Sequence, residues 1–319
     1  LGLIAVIENG ELVGFNIGVG GGLSTTHGNP DTYARLATVI GFVSGHENIL
    51  KVVYEVITVQ RDFGNRTDRK LARLKYTLDN MGVEVFKNEL ETRCGFKLEK
   101  TRPYNFTSRK DLYGWLQDHE GLWHYTLFIE NGRVLDDEKL ALKTALLEIA
   151  EMGKANFRFT SNQNLILSDI TTAHKKEVES ILHKYKIIEH TEMASAFRKN
   201  AMACVALPTC PLALAEAQRY LPDLITKIEN ILARYNLNED EIISRMTGCP
   251  NGCARPYAAE IGFVGTAAGH YNLLIGGDRE GTRLNAKYKE NLNETQILSE
   301  LDTLLESYKL NRLPAESFG

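Results

Sequence analysis

The sequence predicts an α+β chain, with mixed sheets and helices. Three observations carry this: apolar β-branched runs bounded by turn residues, apolar positions at helical spacing, and the interspersion of the two kinds along all 319 residues. Leu3–Ile7 and Leu12–Val19 flank Glu8-Asn9-Gly10-Glu11 and read as a hairpin with an Asn-Gly turn. A glycine cluster, Gly18 to Gly22, follows. Phe157–Thr160 and Leu165–Ser168 are short strands around Ser161-Asn162-Gln163-Asn164. Val178, Ile181, Leu182 and Tyr185 have helical spacing, as do Leu224, Ile228, Ile231 and Leu232. Asn293 is positioned to cap a last helix carrying Ile297, Leu298, Leu301, Leu304 and Leu305. The stretch Gly14-Phe15-Asn16-Ile17-Gly18-Val19-Gly20-Gly21 is echoed by Gly269-His270-Tyr271-Asn272-Leu273-Leu274-Ile275-Gly276-Gly277, which reads either as coincidence or as a duplicated half.

Composition narrows the function classes. With 37 Lys+Arg against 41 Asp+Glu the formal charge is −4, which argues against a coat for nucleic acid or an anionic membrane. The longest apolar run, Ala201 to Leu207, falls far short of the roughly 20 residues a spanning helix needs. Disorder does not fit 43% hydrophobic content. The chain opens Leu1-Gly2-Leu3 and enters a strand pattern at once, so a piece of a longer protein is expected. The odd cysteine count in a Lys/Glu-rich chain favours metal or redox work in a cytoplasmic setting over a disulfide framework.

Four of the five cysteines form the sharpest motif. Cys204-Val-Ala-Leu-Pro-Thr-Cys210 is followed by Thr247-Gly248-Cys249-Pro250-Asn251-Gly252-Cys253. Two loop pairs of thiols supply four soft ligands, suited to an iron–sulfur cube or to zinc, with unliganded core cysteines as the third reading. Structural zinc usually takes tighter Cys-x2-Cys knuckles, which favours the cube. Pro208, Pro211 and Pro250 set loop directions, and Gly248 and Gly252 let backbone amides approach sulfur. Cys210 is expected just ahead of a helix starting at Pro211. Cys94 has no partner in sequence and reads as structural.

The second motif is basic. In Gln60-Arg61-Asp62-Phe63-Gly64-Asn65-Arg66-Thr67-Asp68-Arg69-Lys70-Leu71-Ala72-Arg73-Leu74-Lys75-Tyr76, an Asn65 cap would put Arg66, Arg69, Lys70 and Arg73 on one helix face, beside Leu71, Leu74, Leu78 and Met81. Such a stripe is ordinarily a solvated face, but here acidic partners are scarce, which points to a polycarboxylate or phosphate ligand. Gly276-Gly277-Asp278-Arg279-Glu280-Gly281-Thr282-Arg283 is a weaker anion-binding candidate. The glycine cluster fails the dinucleotide pattern, and neither a phosphate loop nor a hydrolase signature occurs. Electrons for a redox reaction would have to come from outside the chain.

The four cysteines with their intervening lengths, together with Gly20-Gly21-Gly22-Leu23, Asn65-Arg66-Thr67-Asp68-Arg69-Lys70, Asn162-Gln163-Asn164 and Gly281-Thr282-Arg283, resemble the sulfite and nitrite reductase haemoproteins, which couple sirohaem to a [4Fe-4S] cluster. Within that family the chain is most similar to the assimilatory, NADPH-dependent sulfite-reducing branch. The resemblance implies six-electron reduction of sulfite to hydrogen sulfide in sulfate assimilation and cysteine biosynthesis, with a NADPH-dependent flavoprotein as electron donor in preference to ferredoxin. It implies Cys204, Cys210, Cys249 and Cys253 as cluster ligands and Cys253 as the axial bridge to sirohaem iron. It also implies Arg66, Arg69, Arg73, Gln163, Asn251 and Arg283 as sirohaem contacts, the macrocycle's eight carboxylates accounting for a basic stripe without acids.

The implied fold has pseudo-twofold duplicated reductase domains around a sirohaem cleft. Mapped here, residues 1–121 are a first reductase domain, 122–192 half of a central ferredoxin-like domain and 193–319 a second reductase domain with the cluster cysteines. The family's substrate-binding arginines and lysines lie before the position of Leu1, so no catalytic residue is assigned, and the chain by itself is expected not to reduce sulfite. Sirohaem nitrite reduction and a non-catalytic four-cysteine module are the alternatives.

Overall fold

β1 (Gly2–Glu8) and β2 (Glu11–Val19) form the expected hairpin, and both turn residues, Asn9 and Gly10, take the positive φ that such a turn demands. β3 (Thr38–Val43) pairs with the far side of β2, giving an antiparallel sheet in the order β1-β2-β3. The computed structural model describes residues 1–319, which divide into two units. The first comprises Leu1–Thr107 with Pro250–Cys253 and Glu280–Leu284, and the second holds the rest. In the first unit α1 (His46–Phe63), α2 (Leu74–Met81) and α3 (Val83–Cys94) pack their apolar faces on this sheet, where Val52, Val56, Leu78, Phe86 and Leu90 meet Ile17 and Val19. Cys94 is buried in that core, and burial pushes its thiol up to about 11, so it is inert at neutral pH.

The helix expected from Asn65 through Tyr76 is not continuous. Asn65 Oδ1 does accept the N–H groups of Thr67 and Asp68, both at 2.9 Å, as a cap would. The chain then makes only a 3-10 turn over Arg69–Leu71, capped in turn by Asp68, before α2 begins at Leu74. Side chains that cap by bonding nearby amides also stabilise turns, and here the turn wins. Arg66, Arg69, Lys70 and Arg73 therefore lie on an exposed connection and not along one helix face.

The second unit contains two sheets. In the antiparallel one, ordered β4-β5-β7-β6, β4 (Gly114–Gln117) and β5 (Trp123–Leu127) precede α4 (Leu142–Met152), β6 (Asn156–Phe159), β7 (Leu165–Ile170) and α5 (Thr172–Lys184). Leu127, Ala145, Ile149, Leu167, Val178 and Leu182 form its core. Two short helices, α6 (Ile187–Met193) and α7 (Ala196–Lys199), lead to β8 (Ala201–Ala203). After α8 (Leu221–Arg234) come β9 (Ser244–Thr247), β10 (Ile261–Ala267), β11 (His270–Ile275), β12 (Ala286–Leu292) and α9 (Glu294–Asn311). These strands make a mixed sheet, parallel across β8-β9-β10 and antiparallel across β10-β11-β12. Asn293 caps α9 in a full capping box with Gln296. No helix begins at Pro211; turns occupy that stretch, and α8 starts at Leu221 with Pro222 in its first turn.

The sequence echo has a structural counterpart. β2 and β11 are each the middle of an antiparallel trio followed by an 18-residue helix. Each also uses its asparagine alike: Asn16 Oδ1 accepts the N–H of Arg102 at 2.9 Å, and Asn272 Oδ1 that of Asn291 at 3.0 Å.

Candidate metal and cofactor site

Cys204 and Cys249 come off the same end of two adjacent parallel strands. Ala203 of β8 faces Met246 of β9, so the chain leaves each strand within a residue or two of a thiol. The Cys204 N–H continues the ladder to Met246 O at 3.1 Å, and the Gly248 N–H turns back to Cys204 Sγ at 3.3 Å. The loop after Cys204 folds over this junction: Leu214 and Ala215 both donate to Gly248 O, at 2.7 and 3.0 Å, and the Cys210 N–H closes a turn on Ala206 O at 2.7 Å. Gly248 is required here, because a Cβ would stand 2.5 Å from Ala215 O and 2.7 Å from the Ala206 Cβ. Cys249 is buried, and Cys204 and Cys210 are half-buried.

The segment Pro250–Cys253 belongs to the first unit, where Thr25 holds it. The Thr25 N–H and Oγ1 both donate to Pro250 O, at 3.0 and 3.2 Å. Asn251 is half-buried, Gly252 turns the chain with φ 69°, and Cys253 is exposed. The loop that carries Thr25 is fixed by Lys75, which lies just past the basic stripe and to which the sequence reading gives no role. Its side chain is buried and its ammonium donates to the carbonyls of Gly22 (3.1 Å), Ser24 (2.7 Å) and Tyr33. Burial, with Arg73 nearby, pushes Lys75 down to about 8.

Of the predicted anion-binding side chains, Arg66, Arg69, Arg73 and Arg283 are exposed. Arg66 donates to the Gln60 and Arg61 carbonyls, and Arg73 to Ser24 Oγ at 2.6 Å. None of Arg66, Arg69, Lys70 and Arg73 makes an ion pair with an acid, although acids elsewhere in this unit are paired, such as Asp62 with Arg61 and Arg93. A run of exposed cations that no carboxylate pairs suits a polycarboxylate ligand.

Gln163 lies in the second unit, in the turn between β6 and β7, with φ 69°. Its Nε2 donates to Ala203 O at 2.9 Å, against the strand that ends in Cys204, while its Oε1 is buried without a partner. Beside it is a network that sequence reasoning missed. Asn162 Oδ1 accepts from Arg245 Nη2 and Arg255 Nη2, both at 3.0 Å, and Asn162 Nδ2 donates to Arg109 O at 2.8 Å. Arg245 sits inside a strand otherwise made of Ser, Met and Thr, and nothing in that pattern marks it as buried.

The donor set fits an iron–sulfur cluster chemically: thiols on loops, one of them accepting a backbone N–H, that of Gly248. No three His, Cys, Asp or Glu side chains gather around one point as a single ion requires. Ligands of a cube bind separate iron atoms and need no common centre. No helix is long and apolar enough to cross a membrane.

Comparison with known proteins agrees with this chemistry. Residues 1–98 match the "Nitrite and sulphite reductase 4Fe-4S domain" and residues 116–185 the "Nitrite/Sulfite reductase ferredoxin-like half domain". The sulfite reductase [NADPH] hemoprotein beta-component of Leptospira biflexa is 60% identical over 100% of this chain and 57% of its own length. Its namesake in Geobacillus thermodenitrificans is 50% identical, over 100% of this chain and 55% of its own. The solved Mycobacterium tuberculosis NirA protein superposes with a TM-score of 0.81 at 26% identity, covering 99% of this chain and 58% of its own. The chain thus spans little more than half the length of these relatives, and it belongs to the family of nitrite and sulphite reductase 4Fe-4S proteins.

Proposed function

We propose that this chain works in a sulfite reductase haemoprotein that carries sirohaem and a [4Fe-4S] cluster and reduces sulfite to hydrogen sulfide with six electrons. A NADPH-dependent flavoprotein would deliver the electrons, in the cytoplasm. The observation that carries the reading is the Gly248 N–H directed at Cys204 Sγ from the neighbouring strand end, an arrangement that stabilises thiolate and tunes a bound cluster. A haem coupled to a cluster supplies the electron storage that a multi-electron reduction needs. In this reading Cys204, Cys210, Cys249 and Cys253 would hold the cluster, Cys253 would also serve the haem, and Arg66, Arg69, Arg73, Gln163, Asn251 and Arg283 would hold sirohaem. The bounds 1–121, 122–192 and 193–319 are proposed for two reductase domains flanking half of a ferredoxin-like domain.

Sulfite is preferred to nitrite because relatives at 50–60% identity carry a sulfite reductase name. The test is the visible spectrum and metal content of the holoprotein, followed by its turnover of each anion with reduced methyl viologen. Coupled sirohaem bands, iron with acid-labile sulfide, and a higher kcat/KM for sulfite are expected. Bound zinc without visible bands would overturn the cofactor assignment, and a higher kcat/KM for nitrite the substrate.

A further inference from the structure

One turn gathers stretches of the second unit that adjoin Cys204, Cys249 and Cys253. Asn162, between β6 and β7, accepts at Oδ1 from Arg245 Nη2 and Arg255 Nη2, both at 3.0 Å. Its Nδ2 donates to Arg109 O at 2.8 Å and to Asp111 Oδ1 at 3.2 Å. Arg245 lies in β9, upstream of Cys249 and opposite Met202 of β8, and its Nη1 meets the Met202 sulfur at 3.0 Å. Arg255 follows Cys253 and Ala254, has the left-handed φ of 61°, and donates to Ser161 O at 2.7 Å. Beside Asn162, Gln163 Nε2 holds the carbonyl of Ala203, the residue before Cys204.

The turn itself is locked. Thr160 Oγ1 accepts the N–H groups of Asn162 at 3.2 Å and Asn164 at 3.1 Å, and Asn164 is bonded to Ile129, Asp111 and Tyr113. Asp111 thus acts on the two guanidiniums through an amide: its carboxylate polarises Asn162, whose oxygen faces the cations. Burial, then repulsion by Arg255 and Arg109, push Arg245 down to about 9, and burial lowers Arg255 also; Asp111 opposes both shifts. For stability alone such an arrangement gains little, since apolar side chains of similar volume often replace buried ions at no loss. What charged hydrogen bonds add is direction.

We propose that Asn162 is a positioning residue for the cluster site. Through Arg245, Arg255 and the neighbouring Gln163 it fixes how the Cys204 and Cys249 strand ends, and the chain just past Cys253, are oriented. The inference rests on the reading that these thiols hold a [4Fe-4S] cluster.

The experiment compares holoprotein of the wild type, Asn162→Leu, Arg255→Met and Ile149→Ala, the last weakening the core of the antiparallel sheet without touching the turn. Well below the melting temperature, iron release to a chelator should be about 10–100-fold faster in the Asn162 and Arg255 variants than in the wild type. The electron paramagnetic resonance spectrum of their reduced cluster should change as well. Ile149→Ala should melt earlier yet keep the wild-type release rate and spectrum. Arg255→Met, at a half-buried position, carries the test where Asn162→Leu does not fold. Wild-type release and spectrum in the folded turn variants, or equal changes in Ile149→Ala, leave Asn162 a purely structural role and overturn the proposal. A wild-type holoprotein without a cluster overturns the underlying reading and the proposal with it, so the wild type distinguishes the two failures.

Discussion

The Gly248 amide donates to Cys204 Sγ at 3.3 Å across the ends of two parallel strands, while the Gly248 carbonyl accepts from both Leu214 and Ala215. One residue thus ties a thiol to the loop that covers it. Gly248→Ala places a methyl 2.5 Å from Ala215 O, which is backbone and cannot step aside. Overpacking of this kind costs about 1–3 kcal/mol, so urea unfolding should show a loss of that size and cluster content should fall with it.

Cys253 is proposed to serve two metals and Cys204 one. Cys253→Ser should therefore weaken magnetic coupling between haem and cluster more selectively than Cys204→Ser, read by electron paramagnetic resonance on protein that retains both centres. Full coupling in that Cys253 variant would end the bridging assignment.

Arg69 makes no hydrogen bond or ion pair, so its charge is free to act on a ligand. Arg69→Glu should alter stability by about 0.5 kcal/mol or less and lower sirohaem occupancy, measured by absorbance per protein. Normal haem content would return the basic segment to a solvated surface.

Lys75 holds three carbonyls, and Lys75→Met strands them. A loss of about 2–4 kcal/mol is expected from chemical denaturation. Because its folded pKa, about 8, lies below the ordinary 10.5, the unfolded chain binds the extra proton between those values, and the wild type gains stability as pH rises through that window. The methionine variant should lack that rise.

How much of this was legible varies with the range of the forces involved. Asn9-Gly10 and the Asn293–Gln296 box act over four residues, and the structure follows them. Asn65 also bonds the amides that a cap should bond, yet the helix does not propagate, because a cap satisfies N–H groups and cannot choose between a turn and a helix. The cysteine spacing announces four soft ligands, but the parallel register that sets Cys204 beside Gly248 joins segments more than 40 residues apart. Lys75 and Arg245 were least visible: a basic residue in an amphipathic pattern looks solvated, and only the tertiary fold gives one three carbonyls and the other Asn162 and Met202.

The parallel pairing of β8 with β9 bears on the order in which a working centre can be assembled. Ladder hydrogen bonds and the apolar core beneath that sheet, with Met246 and Phe263 fully buried, bring the Cys204 and Cys249 strand ends together. A zinc knuckle, by contrast, is shaped by the ion it binds. Here the ladder and the core set two of the four thiols side by side, so chelating the iron should leave the pairing of β8 with β9 in place.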